Sequence, residues 1–240
     1  TCVLPSAVLS THTAGFSGYT FRDLTEDMPA IKDHWIKENI KFDAVYTGYL
    51  GSVKQVGYVQ NILDTMGTDD CVRIVDPAMA DNGKLYPAFN EEFAKYMATL
   101  CAKADIIVPN ITESCFLTGL EYKTEYDKAY IDAHVQALQA LGCKNIILTG
   151  VSYRPGKTGI VVVENGAERY YEHDLLPNSC HGTGDLFAAV VAGAMTRGKT
   201  AREAAVLAAE FTRLVVENTP ASTPFGVEFE KCLPWLIRSA

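Results

Sequence analysis

From residue 43 to residue 148 the chain alternates short apolar runs with longer stretches of helical period, and this constrains its fold more than any other feature. Asp43-Ala44-Val45-Tyr46, Cys71-Val72-Arg73-Ile74-Val75, Asp105-Ile106-Ile107-Val108 and Lys144-Asn145-Ile146-Ile147-Leu148 read as strands, preceded by one over residues 2–8. Helices are expected around 28–39, 52–66, 90–104 and 125–141. Strands that are apolar nearly throughout need cover on both faces. Strand and helix in turn, with strands of that kind, specify a doubly wound α/β fold with a mostly parallel central sheet. Past Gly150 the rhythm changes. Residues 159–163 and 169–171, joined through Glu164-Asn165-Gly166, read as an antiparallel hairpin turning on Asn-Gly. Helices follow at about 183–197, 200–217 and 227–238. No linker, repeat or low-complexity stretch intervenes, so residues 1–240 are expected to form one domain.

Charge and cysteine usage exclude several function classes. A formal charge of −8 disfavours general binding to nucleic acid or to an anionic membrane. No uninterrupted apolar stretch is long enough to cross a bilayer, and the amino terminus lacks a secretory pattern. It opens on Thr1-Cys2-Val3-Leu4-Pro5 as though inside a strand, so the first strand of the fold is expected to be missing. Seven cysteines, an odd number without a CxxC pair, disfavour a disulfide framework or a zinc site and suit reduced thiols in a cytoplasm. Cys180 is expected to pack as a small hydrophobe.

Ligands of such sheets bind beyond the carboxyl ends of the strands. The five predicted strand ends are followed by Ser10-Thr11-His12-Thr13, Thr47-Gly48-Tyr49, Asp76-Pro77-Ala78-Met79-Ala80-Asp81-Asn82-Gly83, Pro109-Asn110-Ile111-Thr112-Glu113 and Thr149-Gly150. Each alone reads as a turn with a helix cap; together they describe a polar cleft. His181-Gly182-Thr183-Gly184-Asp185 opens a late helix, and its glycines let backbone N–H groups approach an anion. A carboxylate there would repel phosphate, so Asp185 suits a hydroxyl that must lose its proton as it attacks a phosphoryl group. The alternative is a glycine-rich loop with an acid answering the helix dipole. Two other motifs fail. Gly156-Lys157-Thr158 lacks the P-loop glycine, since position 151 is Val, and it leads into a strand. The glycines at 182 and 184 lack the third member of a dinucleotide fingerprint.

With these residues in view, the chain resembles, over essentially its whole length, the pyridoxal (vitamin B6) kinases of the ribokinase-like superfamily. Gly182-Thr183-Gly184-Asp185 is similar to the superfamily's Gly-x-Gly-Asp signature, and Asn110-Ile111-Thr112-Glu113 to its Asn-x-x-Glu motif. Leu9-Ser10-Thr11-His12-Thr13 resembles the loop lining the pyridine ring. Thr47-Gly48-Tyr49-Leu50-Gly51-Ser52 resembles the segment whose Tyr packs on that ring. Asp76-Pro77-Ala78-Met79-Ala80-Asp81 approximates the branch's Asp-Pro-Val-Met-Gly-Asp, which begins a flap, with Ala in place of Val and Gly at 78 and 80.

The resemblance implies transfer of the γ-phosphoryl of ATP to the 5′-hydroxymethyl of pyridoxal, pyridoxamine or pyridoxine. Asp185 would be the base, and the amides of Gly182, Thr183 and Gly184 the anion hole. Asn110, Glu113 and Thr149 would contact the nucleotide; Ser10, Thr13 and Tyr49 the vitamin. Asp81 and Gly83 would belong to the flap. Magnesium would be held by Glu113 and Asp76, directly or through water, and a monovalent cation such as potassium could assist. His12 either meets the ligand or orders its loop, and His181 adds charge at the anion hole if protonated. A homodimer is implied. The rival expectations are a hydroxymethylpyrimidine or sugar kinase of the same superfamily, and a binding domain that keeps the fold without catalysis.

Overall fold

The computed structural model describes every residue except Ala14, Gly15, Ser179 and Pro224. In chain order the strands are β1 (Ala7–Leu9), β2 (Phe21–Asp23), β3 (Phe42–Thr47), β4 (Gly67–Val75), β5 (Ala80–Asp81), β6 (Lys84–Leu85), β7 (Ile106–Ile107), β8 (Asn145–Val151), β9 (Lys157–Glu164) and β10 (Ala167–Asp174). The helices are α1 (Met28–Lys37), α2 (Val53–Thr65), α3 (Glu91–Cys101), α4 (Ile111–Thr118), α5 (Lys128–Ala140), α6 (Thr183–Thr196), α7 (Ala201–Asn218) and α8 (Leu233–Ser239). Six strands form the central sheet in the order β10-β9-β8-β7-β4-β3. The neighbours from β3 to β8 pair in parallel, and β9 and β10 add on antiparallel. This is the mixed, doubly wound α/β sheet that the alternation of runs demands.

Strand side chains alternate between two cores, as a period of two requires. Ile74, Ile106, Ile147, Ile160 and Val162 pack with α6 and α7 on one face. Val75, Ile107, Ile146, Leu148, Val161 and Val163 pack with α2, α3, α4 and α5 on the other. Each such fully buried side chain contributes about 1.5–3 kcal/mol relative to exposure, which is why these positions are apolar on both faces. The β9–β10 hairpin turns on Asn165 (φ 51°) and Gly166 (φ 77°), the double left-handed geometry that Asn-Gly predicts.

Three expectations need correction. The strand expected over residues 2–8 is only Ala7–Leu9, and it pairs with β2 in a separate hairpin outside the central sheet. Pro5 has no N–H for a ladder, and Val3 and Val8 are exposed, so this segment has no sheet face to bury. Thr149 lies inside β8, bonded across to Ile160, rather than just beyond a strand. The last helix starts at Leu233, not near 227, after a single 3₁₀ turn over Glu230–Cys232 and with Pro234 in its first turn. Residues 111–118, outside the expected helices, form α4, with Asn110 as its cap. No helix among the described residues is long and apolar enough to cross a membrane, and all seven cysteines are free thiols.

Candidate active site

Because β3, β4, β7 and β8 run parallel, their carboxyl ends share one edge, and the polar segments that follow β3, β4 and β7 gather there. Asp76 follows β4 directly, and its N–H donates to the Thr47 carbonyl at the tip of β3 (3.0 Å). Asn110 and Thr149 form a bridge between the end of β7 and β8. The Thr47 hydroxyl is buried at its strand tip with no hydrogen-bond partner among the described residues, an orphan of the sort that ligands or water satisfy.

Helix α6 begins against this edge. Gly182 precedes it at φ 83°, a left-handed conformation that glycine adopts freely, and it offers no side chain to cap the helix. The first N–H groups of the helix, on Thr183, Gly184 and Asp185, therefore have no intrahelical acceptor. Asp185 stands on that first turn and remains exposed, yet the surrounding walls desolvate its carboxyl enough to raise its pKa. Both observations describe a group on the floor of an open cleft. Its Oδ1 lies 3.9 Å from the point where a Cβ on Gly48 would sit, and Tyr46 Oη lies 3.6 Å from that same point. The predicted base and the tip of β3 are thus brought together across bare backbone.

On the other side of Asp76 lies a closed set of contacts. Asn110 caps α4: its Oδ1 accepts from the Glu113 N–H (2.8 Å), and Glu113 Oε2 accepts from the Asn110 N–H (2.9 Å). Glu113 Oε1 accepts from the Met79 N–H (3.1 Å), and the Asn110 side-chain amide donates to the Ala80 carbonyl (2.9 Å). The Gly83 N–H donates to Thr112 Oγ1 (3.0 Å). Asn82 (φ 50°) and Gly83 (φ 75°) make the two-residue turn of the β5–β6 hairpin, which carries Asp81. The predicted flap is therefore tied to α4 rather than to the sheet. Burial pushes the Asp76 and Glu113 carboxyls upward; repulsion from Asp76 raises Glu113 further, and repulsion from Asp185 raises Asp76. Backbone N–H groups oppose the rise at both acids.

This geometry changes how a metal would be held. Both oxygens of Glu113 are already taken by backbone N–H groups, whereas among the described residues Asp76 uses only Oδ1, for the Ala78 N–H (3.1 Å). Among the described residues no three carboxylate, imidazole or thiol side chains converge as a ligand set. Magnesium suits such a place, since it keeps several waters and takes one or two carboxylates plus phosphate oxygens.

The residues expected to meet an aromatic substrate divide. Tyr49 is half-buried, its ring 5.6 Å from that of Phe89, which in turn stacks on Phe93 at 4.3 Å. Ser10 spends its polar atoms on its own hairpin: Oγ accepts from the Thr20 N–H (2.9 Å) and its N–H donates to the Thr20 carbonyl (3.1 Å). Thr13 is exposed in the same loop. That loop reaches the anion-hole segment through His12, whose ring lies 4.9 Å from the ring of His181. Thr149 donates to the Pro109 carbonyl from both N (2.9 Å) and Oγ1 (3.3 Å). Two residues escaped sequence reasoning. Gln55 is fully buried on α2; it accepts from the Gly51 N–H and donates to the Ser6 carbonyl and to Thr25 Oγ1, fixing the segment that carries Tyr49. A glutamine at core spacing beside Val56 and Val59 was the available signal. The other is Tyr46, read only as part of a strand.

Known proteins share this arrangement at the level of fold and sequence. Residues 12–227 match the phosphomethylpyrimidine kinase family. A Bacteroides thetaiotaomicron protein provisionally named a phosphomethylpyrimidine kinase is 34% identical and superimposes with a TM-score of 0.92, over 98% of this chain and 83% of that one. Its crystal form with pyridoxal gives a TM-score of 0.90. A pyridoxal kinase from Lactobacillus plantarum is 31% identical with a TM-score of 0.88, over 98% of this chain and 84% of its own. The hydroxymethylpyrimidine/phosphomethylpyrimidine kinase of Bacillus subtilis is 27% identical, covering 89% of this chain and 77% of its own length. The chain belongs to the phosphomethylpyrimidine kinase family, and it is a kinase of the ribokinase-like fold that this family shares with the pyridoxal kinases.

Proposed function

We propose that this kinase moves the γ-phosphoryl of ATP to the 5′-hydroxymethyl group of a B6 vitamer. The observation that carries the reading is the position of Asp185: a solvent-open carboxylate on an uncapped helix start, facing Gly48 one residue before Tyr49. Asp185 takes the proton of the alcohol as its oxygen bonds to the γ-phosphorus, and the bond to the ADP oxygen breaks. The N–H groups of Thr183 and Gly184, with the bare backbone of Gly182, meet the charge on the transferring group. One well-placed donor of this kind is worth roughly 3–4 kcal/mol. A bound magnesium neutralises phosphate charge; Asp76 would hold it through Oδ2, and Glu113 through water. Tyr49, backed by Phe89, offers a ring face to a pyridine.

Support for a vitamer over other alcohols comes from relatives at 31–34% identity, one a pyridoxal kinase and one crystallised with pyridoxal. The second reading is a hydroxymethylpyrimidine kinase, favoured by the family match itself and by the Bacillus subtilis relative. Initial rates with ATP and magnesium on pyridoxal, pyridoxamine, pyridoxine and hydroxymethylpyrimidine separate the two. The expected result is a kcat/KM at least about tenfold higher for a vitamer, a difference of 1.4 kcal/mol in transition-state binding. A preference for the pyrimidine overturns the first reading, and binding without any transfer overturns both.

A further inference from the structure

Tyr46 lies on β3 with its ring in the core against α6 and α7, where an apolar side chain would pack as well. Its hydroxyl is nonetheless carried to the edge of the cleft, to within 3.6 Å of the Cβ position over Gly48, a point that Asp185 Oδ1 approaches to 3.9 Å. No protein group among the described residues hydrogen-bonds to that hydroxyl. We propose that Tyr46 Oη and Asp185 together form the seat of the acceptor alcohol, Tyr46 donating to the alcohol oxygen while Asp185 accepts its proton. This inference rests on the alcohol-kinase reading above and adds a residue that selects for the hydroxyl itself.

The chemistry of the two groups is complementary. Burial, Asp76 and Asp185 all push the Tyr46 phenol far above its ordinary range, so it remains a donor at any pH the protein meets. A carboxylate can only accept. An alcohol, like water, accepts from the first and donates to the second through a single oxygen. Gly48 leaves the space for it: a methyl there would stand in ordinary contact with both oxygens and occupy the seat. A buried donor of this kind discriminates strongly, because a ligand lacking the oxygen leaves it unpaired.

The test pairs Tyr46→Phe with a pyridoxal analogue whose 5′-hydroxymethyl is replaced by methyl. Calorimetry gives four affinities, and steady-state rates give KM for pyridoxal and for ATP. Wild type is expected to bind pyridoxal about tenfold more tightly than Tyr46→Phe does. The deoxy analogue should bind both proteins alike, and KM for ATP should not move. Equal weakening of pyridoxal and the analogue means that Tyr46 only supports the fold, and an unchanged pyridoxal affinity removes it from the site; either result overturns the proposal. If wild-type protein phosphorylates hydroxymethylpyrimidine but not pyridoxal, the vitamer reading fails separately, and the same cycle with methylated pyrimidine decides Tyr46. Failure of wild type on every alcohol overturns both readings.

Discussion

Helices α4 and α6 both start at the same edge of the sheet and both place an acid on their first turn, yet their beginnings are built in opposite ways. At α4 every early polar group is answered from within: Asn110 and Glu113 cap each other, and their remaining atoms hold Met79 and Ala80. At α6 nothing is answered: Gly182 has no side chain, a Cβ on Gly184 would meet nothing within 4 Å, and Asp185 has no hydrogen-bonded partner among the described residues. The closed start holds protein to protein. The open one leaves N–H groups and a base to be met by a ligand, at the cost in stability that an uncapped helix carries. An acid near a helix start therefore says little about its role until its partners are counted.

The largest expected effect falls on the open start. Asp185→Asn should lower kcat by roughly 10²–10⁴, the usual worth of a positioned general base, with ATP affinity mostly kept. Equal kcat would show that the exposed acid is idle. Next comes Gly48→Ala. Its φ is ordinary and the added methyl meets only Tyr46 Oη and Asp185 Oδ1, so melting should be unchanged. Filling the space before the base should still cost on the order of 10–100-fold in kcat/KM for the alcohol. Wild-type kinetics in that variant would mean that the gap between β3 and α6 is not where the substrate sits. The smallest effect falls on the closed start. Asn110→Ala removes a cap and should cost about 1 kcal/mol, or roughly 2–4 °C in Tm for a chain of this size. A calorimetric scan showing no loss would mean that the α4 start is held by something other than its cap.

The sequence foretold the sheet because its evidence was dense: long runs such as Ile146-Ile147-Leu148 leave few alternatives to a strand covered on both faces. The short elements were lost because they carry little apolar pattern. Strands β5 and β6 have two residues each, and only Asn82-Gly83 announced them. Helix α4 was given no range, although Asn110-Ile111-Thr112-Glu113 reads as a helix cap and has the capping-box spacing that the structure shows. The glycine spacing placed Asp185 on the first turn of a late helix, where the structure has it. That Ser10 turns back on Thr20, and that Tyr46 reaches the cleft, depends on side-chain direction in a folded chain, which no spacing in one sequence records.

The suspension of the β5–β6 hairpin from α4 has an electrical side. Met79, just before the hairpin, supplies one of the N–H groups that steady ionised Glu113. Burial weighs more than those donors, and with Asp76 beside it the acid is held above the ordinary carboxylate range. A cation arriving beside the two acids would have to displace a proton, so the charge at this end of the cleft would be set by what binds there.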